Sequence, residues 1–283
     1  MKLDAILAPG TEPQVLGTGY GFSEGPAADA DGNVYFSDGR HDSIHLYRPG
    51  SPVELFTDDS TDANGMMFNR KGELYVCEGA AHRIVAFDVH TRQKRVLAGE
   101  IDGTPFNEPN DLAVDRHDGF YFSDPNYQHR GQPTLMKQDT YYCSASGRVH
   151  RVSTVCFKPN GVLLDAEEVT LYVADSRGQR IYRYEVLGPG RLANERLWID
   201  KLGANPDGMT LDQHGHLYVC LGRAGLKLFD SESEPIGRIE VPYASNCCFG
   251  GPDFATLFVT SADKLLGIAT KVRGMRPLCA RKD

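Results

Sequence analysis

The sequence predicts an all-β fold, a six-bladed β-propeller of four-stranded antiparallel blades around a central metal-containing channel. Three observations carry the prediction. A short unit recurs six times, each copy opening on a polar residue beside Gly, Pro or Ser: Glu24-Gly25-Pro26, Asn64-Gly65, Pro109-Asn110-Asp111, Pro159-Asn160-Gly161, Pro206-Asp207-Gly208 and Ser245-Asn246. The steps between the lead polar residues are 40, 46, 50, 47 and 39 residues. Self-similarity at that period marks architectures in which each unit adds one element to a shared centre. Short alternating runs rich in Tyr, Phe and Val fill the units, and helix-period patterns are hard to find.

In the first unit the turn Asp29-Ala30-Asp31-Gly32 leads to a strand ending Tyr35-Phe36-Ser37-Asp38. The second unit shows all four strands: Gly65-Met66-Met67-Phe68, Glu73-Leu74-Tyr75-Val76-Cys77, Arg83 to Asp88, and Lys94-Arg95-Val96-Leu97. The third turns at Asp115 to Gly119 and runs through Tyr121-Phe122-Ser123-Asp124. It then departs from regularity over Pro125 to Gly147, too long for a hairpin loop and therefore a candidate lid. The fourth carries Tyr172-Val173-Ala174-Asp175, and the fifth turns at Asp212-Gln213-His214-Gly215. Asp, Asn and Gly at such corners satisfy local backbone hydrogen bonds and tolerate positive φ. None of these turns has the twelve-residue ligand series of an EF-hand. After its first strand the sixth unit offers only Leu257 to Thr260 and Leu265 to Ala269, one strand short. The segment around Ala5-Ile6-Leu7 or Gln14-Val15-Leu16 is expected to fill that place, making residues 1–283 a single propeller domain.

Composition bounds the function. With 41% hydrophobic and 24% charged residues the chain can bury a large core. A net charge of −8 without a basic stripe argues against nucleic acid as a partner. No apolar run approaches the ~18 residues that span a bilayer, and no secretory signal opens the sequence, so the expectation is a soluble cytoplasmic protein without a membrane partner. Seven cysteines without C-x-x-C spacing suggest reduced, mostly buried thiols.

In a propeller, a residue just before the first strand of a blade and one just after the second share one mouth of the channel. The lead residues would thus lie near Asp38, Glu78, Asp124 and Asp175. The leads comprise two carboxylates, Glu24 and Asp207, and the amides Asn64, Asn110, Asn160 and Asn246, with no His and no thiol. Such a set favours a hard, oxygen-preferring divalent ion, and so few charges leave room for water and substrate. A single Asn-Gly in isolation reads as a turn; repetition at one position of every unit favours channel lining. A calcium ion that only pins the blades is the alternative, and Asp38, Asp124 and Asp175 have the alternative role of capping loop amides.

With these motifs in order, together with Ser123-Asp124-Pro125 and Asn246-Cys247-Cys248-Phe249-Gly250-Gly251, the chain resembles the gluconolactonase and senescence-marker-protein (regucalcin) family over residues 20–262. The resemblance implies a six-bladed propeller holding one divalent metal, calcium foremost, with zinc, manganese or magnesium as alternatives. It implies hydrolysis of sugar lactones. Glu24, Asn160 and Asp207 match the family's metal ligands, and Asn110 matches a substrate contact. Some animal-type members carry Arg two residues before that Asn, where this chain has Glu108, which bears on sugar preference.

The expected chemistry is metal-assisted hydrolysis of a small-molecule lactone to an aldonic acid. Asp207 would orient or deprotonate the water, Asn110 would hold the carbonyl or a ring hydroxyl, and Asp124 and Tyr127 would bind sugar hydroxyls. An organophosphate or fluorophosphate hydrolase on the same site, with Asp207 as nucleophile, is a second reading. A non-catalytic calcium-binding propeller is a third. No G-x-S-x-G, H-E-x-x-H, P-loop or Rossmann fingerprint competes with these, and His129 and His150 draw notice only as neighbours of the candidate lid.

Overall fold

The structure, a computed structural model, describes residues 2–127 and 137–281. Six antiparallel four-stranded sheets form its blades. Their innermost strands are Ser23–Ala28, Ala63–Phe68, Leu112–Val114, Pro159–Leu164, Met209–Leu211 and Asn246–Gly250. Each inner strand touches the next, and the sixth touches the first, so the ring is closed. No helix among the described residues is long and apolar enough to cross a membrane.

In the sixth blade the strand Gln14–Thr18 pairs antiparallel with Lys264–Ala269, bringing Thr18 opposite Lys264. Upstream, Ile6 is fully buried among Tyr218, Leu226, Leu257 and Ile268 of blades five and six. The third blade is regular: Thr140–Cys143 pairs with Phe120–Ser123, and Tyr141 and Tyr142 are buried. The excursion after Asp124 is thus shorter than the sequence suggests, because these tyrosines sit in a strand. Residues 128–136 of the candidate lid, His129 among them, lie outside the described residues. His150 is on the outer strand, its Nε2 2.9 Å from the Gly190 carbonyl.

A bulge interrupts the ladder near the start of the inner strand in blades one, two and four, between Glu24 and Ala27, Ala63 and Met66, and Pro159 and Val162. Bulges redirect a side chain and sharpen the local bend. Here they turn Glu24, Asn64 and Asn160 to the axis. The glycine after each of these leads is needed for close approach: a Cβ on Gly25 would lie 2.0 Å from the Asn64 carbonyl oxygen, and one on Gly161 2.4 Å from that of Asp207. The motifs Glu24-Gly25 and Asn160-Gly161 are therefore places where one blade's backbone meets the next.

At the opposite end of the inner strands the channel wall is mostly apolar, with Asp111, Thr210 and Asn246 as polar members, and a later segment covers it. A cavity of about 110 Å³ remains there, bounded by Ala28, Met66, Phe68, Leu112, Leu163, Met209 and Phe249 and covered by Met275, Pro277 and Arg281. The covering segment follows the last strand and crosses the axis. Met275 N donates to Leu211 O (3.3 Å), Leu278 is buried with the cluster of blades two and three, and Arg281 Nη1 donates to Ala166 O (2.8 Å). All seven cysteines are free, five of them buried.

Candidate active site

The polar ends of the inner strands surround a cavity of about 460 Å³ at the open mouth. Glu24, Asn64, Asn110, Asn160 and Asp207 line it, with Phe22, Tyr127, Ser176, Tyr243 and, at the rim, Arg223. A second lobe of about 470 Å³ shares Phe22, Glu24 and Asn64 and extends to Arg40 and Asp62. Neither lobe has a His or Cys among its described lining residues.

Glu24 is buried, its Oε2 accepting from the Gly25 amide at 2.7 Å, with a further hydrogen bond from the Asn246 side chain. The Asn246 side-chain Oδ1 accepts from Cys247 N (2.8 Å), so Asn246 braces the wall. Burial, and after it the negative charge of Asp207, push the Glu24 carboxyl well above its ordinary range. Asp207 is half-buried, its backbone N donating to Cys220 O at 2.9 Å. Asn110 is held through its main chain, N to Ser123 O (3.0 Å) and O from Gly65 N (2.7 Å), leaving the side chain at the cavity. The Asn160 Nδ2 donates to the Tyr127 hydroxyl at 2.8 Å.

Of the acidic residues ending second strands, Asp38 and Asp175 staple loops, and Asp124 does the same. Asp38 accepts from Gly21 N (2.9 Å) and Phe22 N (3.1 Å), Asp124 from Asn107 N (2.9 Å), and Asp175 from Lys158 N (3.0 Å). Each staple falls two or three residues ahead of Glu24, Asn110 or Asn160, fixing the loop that delivers the lead residue. Asp124 is fully buried and absent from the cavity wall, which corrects its reading as a contact to sugar hydroxyls. Its carboxyl is pushed up to about 8, chiefly by burial. Glu78 instead binds Arg83 (2.7 Å) and Lys94 (2.9 Å). Glu108 is buried away from the cavity, and its carboxylate accepts from Tyr127 N.

Sequence reasoning missed Ser176, Tyr243 and Arg223. Ser176 directly follows a strand-ending Asp and was findable on that ground; the other two come from blade-five and blade-six connections without a repeat signal.

Among the described residues no group of three or more His, Cys, Asp or Glu forms a metal cage. The donor set at the mouth is mixed, two carboxylates completed by carboxamides. Two carboxylates on one cavity wall, with Glu24 raised first by burial and then by the charge of Asp207, are donors of the kind a hard divalent cation takes. Glu24 and Asp207, with the carboxamides of Asn64, Asn110 and Asn160 on the same wall, are the oxygen-bearing groups that could hold it.

A gluconolactonase from Zymomonas mobilis is 29% identical, with 96% of this chain and 85% of that protein covered. A pentonolactonase from Haloferax volcanii is 26% identical, with 89% and 85% covered. Among solved structures, a gluconolactonase from Xanthomonas campestris superposes with a TM-score of 0.87 at 28% identity, covering 95% of this chain and 92% of that one. A calcium-binding regucalcin from Agrobacterium tumefaciens shares the fold, with a TM-score of 0.82 at 18% identity over 96% and 98% of the two chains. The family model described as SMP-30/Gluconolactonase/LRE-like region matches residues 22–263, from the loop that delivers Glu24 to the last blade, and the chain belongs to that family.

Proposed function

We propose that the protein is a hydrolase opening sugar lactones to aldonic acids with one divalent cation, calcium, held by Glu24, Asn160 and Asp207. The observation that carries this reading is the convergence of two carboxylates and three carboxamides on one cavity of about 460 Å³. The lactonase relatives support the substrate class.

A divalent cation bound there supplies Lewis acidity to the ester carbonyl and positive charge against the oxyanion, an effect of several kcal/mol. The chain's own groups do the remaining work. Asp207, with two carboxylate oxygens and partial solvent access, orients the attacking water and accepts its proton. The Asn110 amide holds the lactone carbonyl or a ring hydroxyl. Phe22 and Tyr243, with ring centroids 6.0 Å apart in an edge arrangement, offer an aromatic wall to the C–H face of a sugar.

A panel of pentono- and hexonolactones, assayed by acid release, tests the proposal. Exhaustive chelation is expected to abolish turnover and calcium to restore it. Undiminished activity after chelation would refute the cation's part, and no turnover of any lactone in the presence of calcium would refute the activity.

A further inference from the structure

We infer that Tyr127 is a positioning residue that sets which end of the Asn160 carboxamide faces the cation. The inference rests on the metal-binding reading above.

A carboxamide has one end that can bind a cation and one that repels it, and the two have nearly the same shape. A ligand asparagine must therefore be oriented by a partner. The Asn160 Nδ2 donates to the Tyr127 hydroxyl at 2.8 Å, and a hydrogen bond from Ser176 reaches the same oxygen. With the NH2 end so engaged, Oδ1 is the end of the carboxamide that the phenol leaves available to a cation. This is the relation by which partners of metal ligands fix ligand orientation in other proteins.

Tyr127 is itself held at its backbone and at its ring. The Glu108 carboxylate accepts from its backbone amide. Lys158 lies over its ring, Nζ 4.3 Å from the centroid, and the same ammonium donates to Asn126 O at 3.0 Å. Lys158 stands two residues ahead of Asn160 and is anchored through its own amide to Asp175. Blade three's connection thus grips the entry of blade four at the point where the asparagine leaves the backbone. Glu108 acts through this clamp, on the backbone of the cavity-lining Tyr127.

Calorimetric titration with calcium separates this role from simple packing. Tyr127→Phe keeps the ring and removes the hydroxyl. It should weaken calcium binding by roughly tenfold or more while the melting temperature of the metal-free protein stays put. In an Asn160→Asp background, where both ends of the side chain are oxygen, Tyr127→Phe should cost little further affinity. Glu108→Gln, which keeps an acceptor for the Tyr127 amide, should bind near the unmodified level, and Glu108→Ala should not. Unchanged affinity in Tyr127→Phe, or an equal loss in both backgrounds, would overturn the inference. If the unmodified protein takes up no calcium, or Glu24→Gln binds it equally well, the metal reading itself fails and this inference falls with it.

Discussion

At one end of the channel the inner strands present Glu24, Asn64, Asn110, Asn160 and Asp207 around an open cavity; at the other they present Ala28, Phe68, Leu112, Leu163, Met209 and Phe249 around a closed one. A few residues of the same strands separate the two. The mostly apolar end contributes stability by removing surface from water. The polar end does the reverse: it buries Glu24 and sets a second carboxylate near enough to raise it. A ring needs the first end to stand. The second end carries a cost that packing does not offset.

The sharpest way to break this contrast is to exchange its costs. Glu24→Gln and Asp207→Asn should each lower lactone turnover about a thousandfold, the loss of several kcal/mol of charge stabilisation. Their melting temperatures should hold or rise without metal, because each variant removes a like-charge contact. Full turnover in both, in the acid-release assay, would end the assignment of the open mouth.

Next in size is the loss of residues 1–17, which removes most of a strand from blade six together with buried Ile6. We expect a fall in melting temperature of about 10 °C or more, measured by calorimetry; an unchanged transition would mean that the ring closes without that strand. At the covered end, Leu278→Ala should cost about 2–3 kcal/mol in denaturant unfolding while leaving KM for lactone unaltered. A change in KM with no loss of stability would show that the two ends are coupled.

The smallest effect is a pH slope. Asp111 is buried on the wall of the covered cavity, accepting from Leu112 N (3.0 Å) and Val162 N (3.0 Å), and burial pushes its carboxyl up to about 7 from 3.8. The folded protein therefore keeps a proton that the unfolded chain releases. Stability from this group is full below about 3.8 and is lost as pH rises to about 7. Melting curves of Asp111→Asn across that window should lack this part of the slope.

The fold was legible because the ring repeats: a polar lead, a Gly and a Tyr-rich second strand recur wherever the same packing problem recurs. The covering segment over the closed end was not. Residues 270–281 form no paired strand beyond one isolated bridge at Gly274, and contacts such as Arg281 to Ala166 are too distant in sequence to leave a pattern. Much the same division runs through the site. Glu24, Asn110, Asn160, Asp207 and Tyr127 meet at one cavity, as their shared position in the unit suggested for the first four. Asp124 looked identical in kind but faces a loop amide, because direction around a strand end is set by the neighbouring loop and not by residue type. The orientation of Asn160 depends on a hydroxyl 33 residues away, which no spacing rule contains.

The pairing of Gln14–Thr18 with Lys264–Ala269 also says something about time. On the ribosome, the strand made first is the one used last. Until the sixth blade has emerged, Gln14–Thr18 has no partner and the growing arc keeps open edges on its first and newest blades, inviting wrong pairing with other chains. A circular permutant that moves those residues behind Ala269 would supply blade six as one continuous stretch and spare the nascent arc that wait.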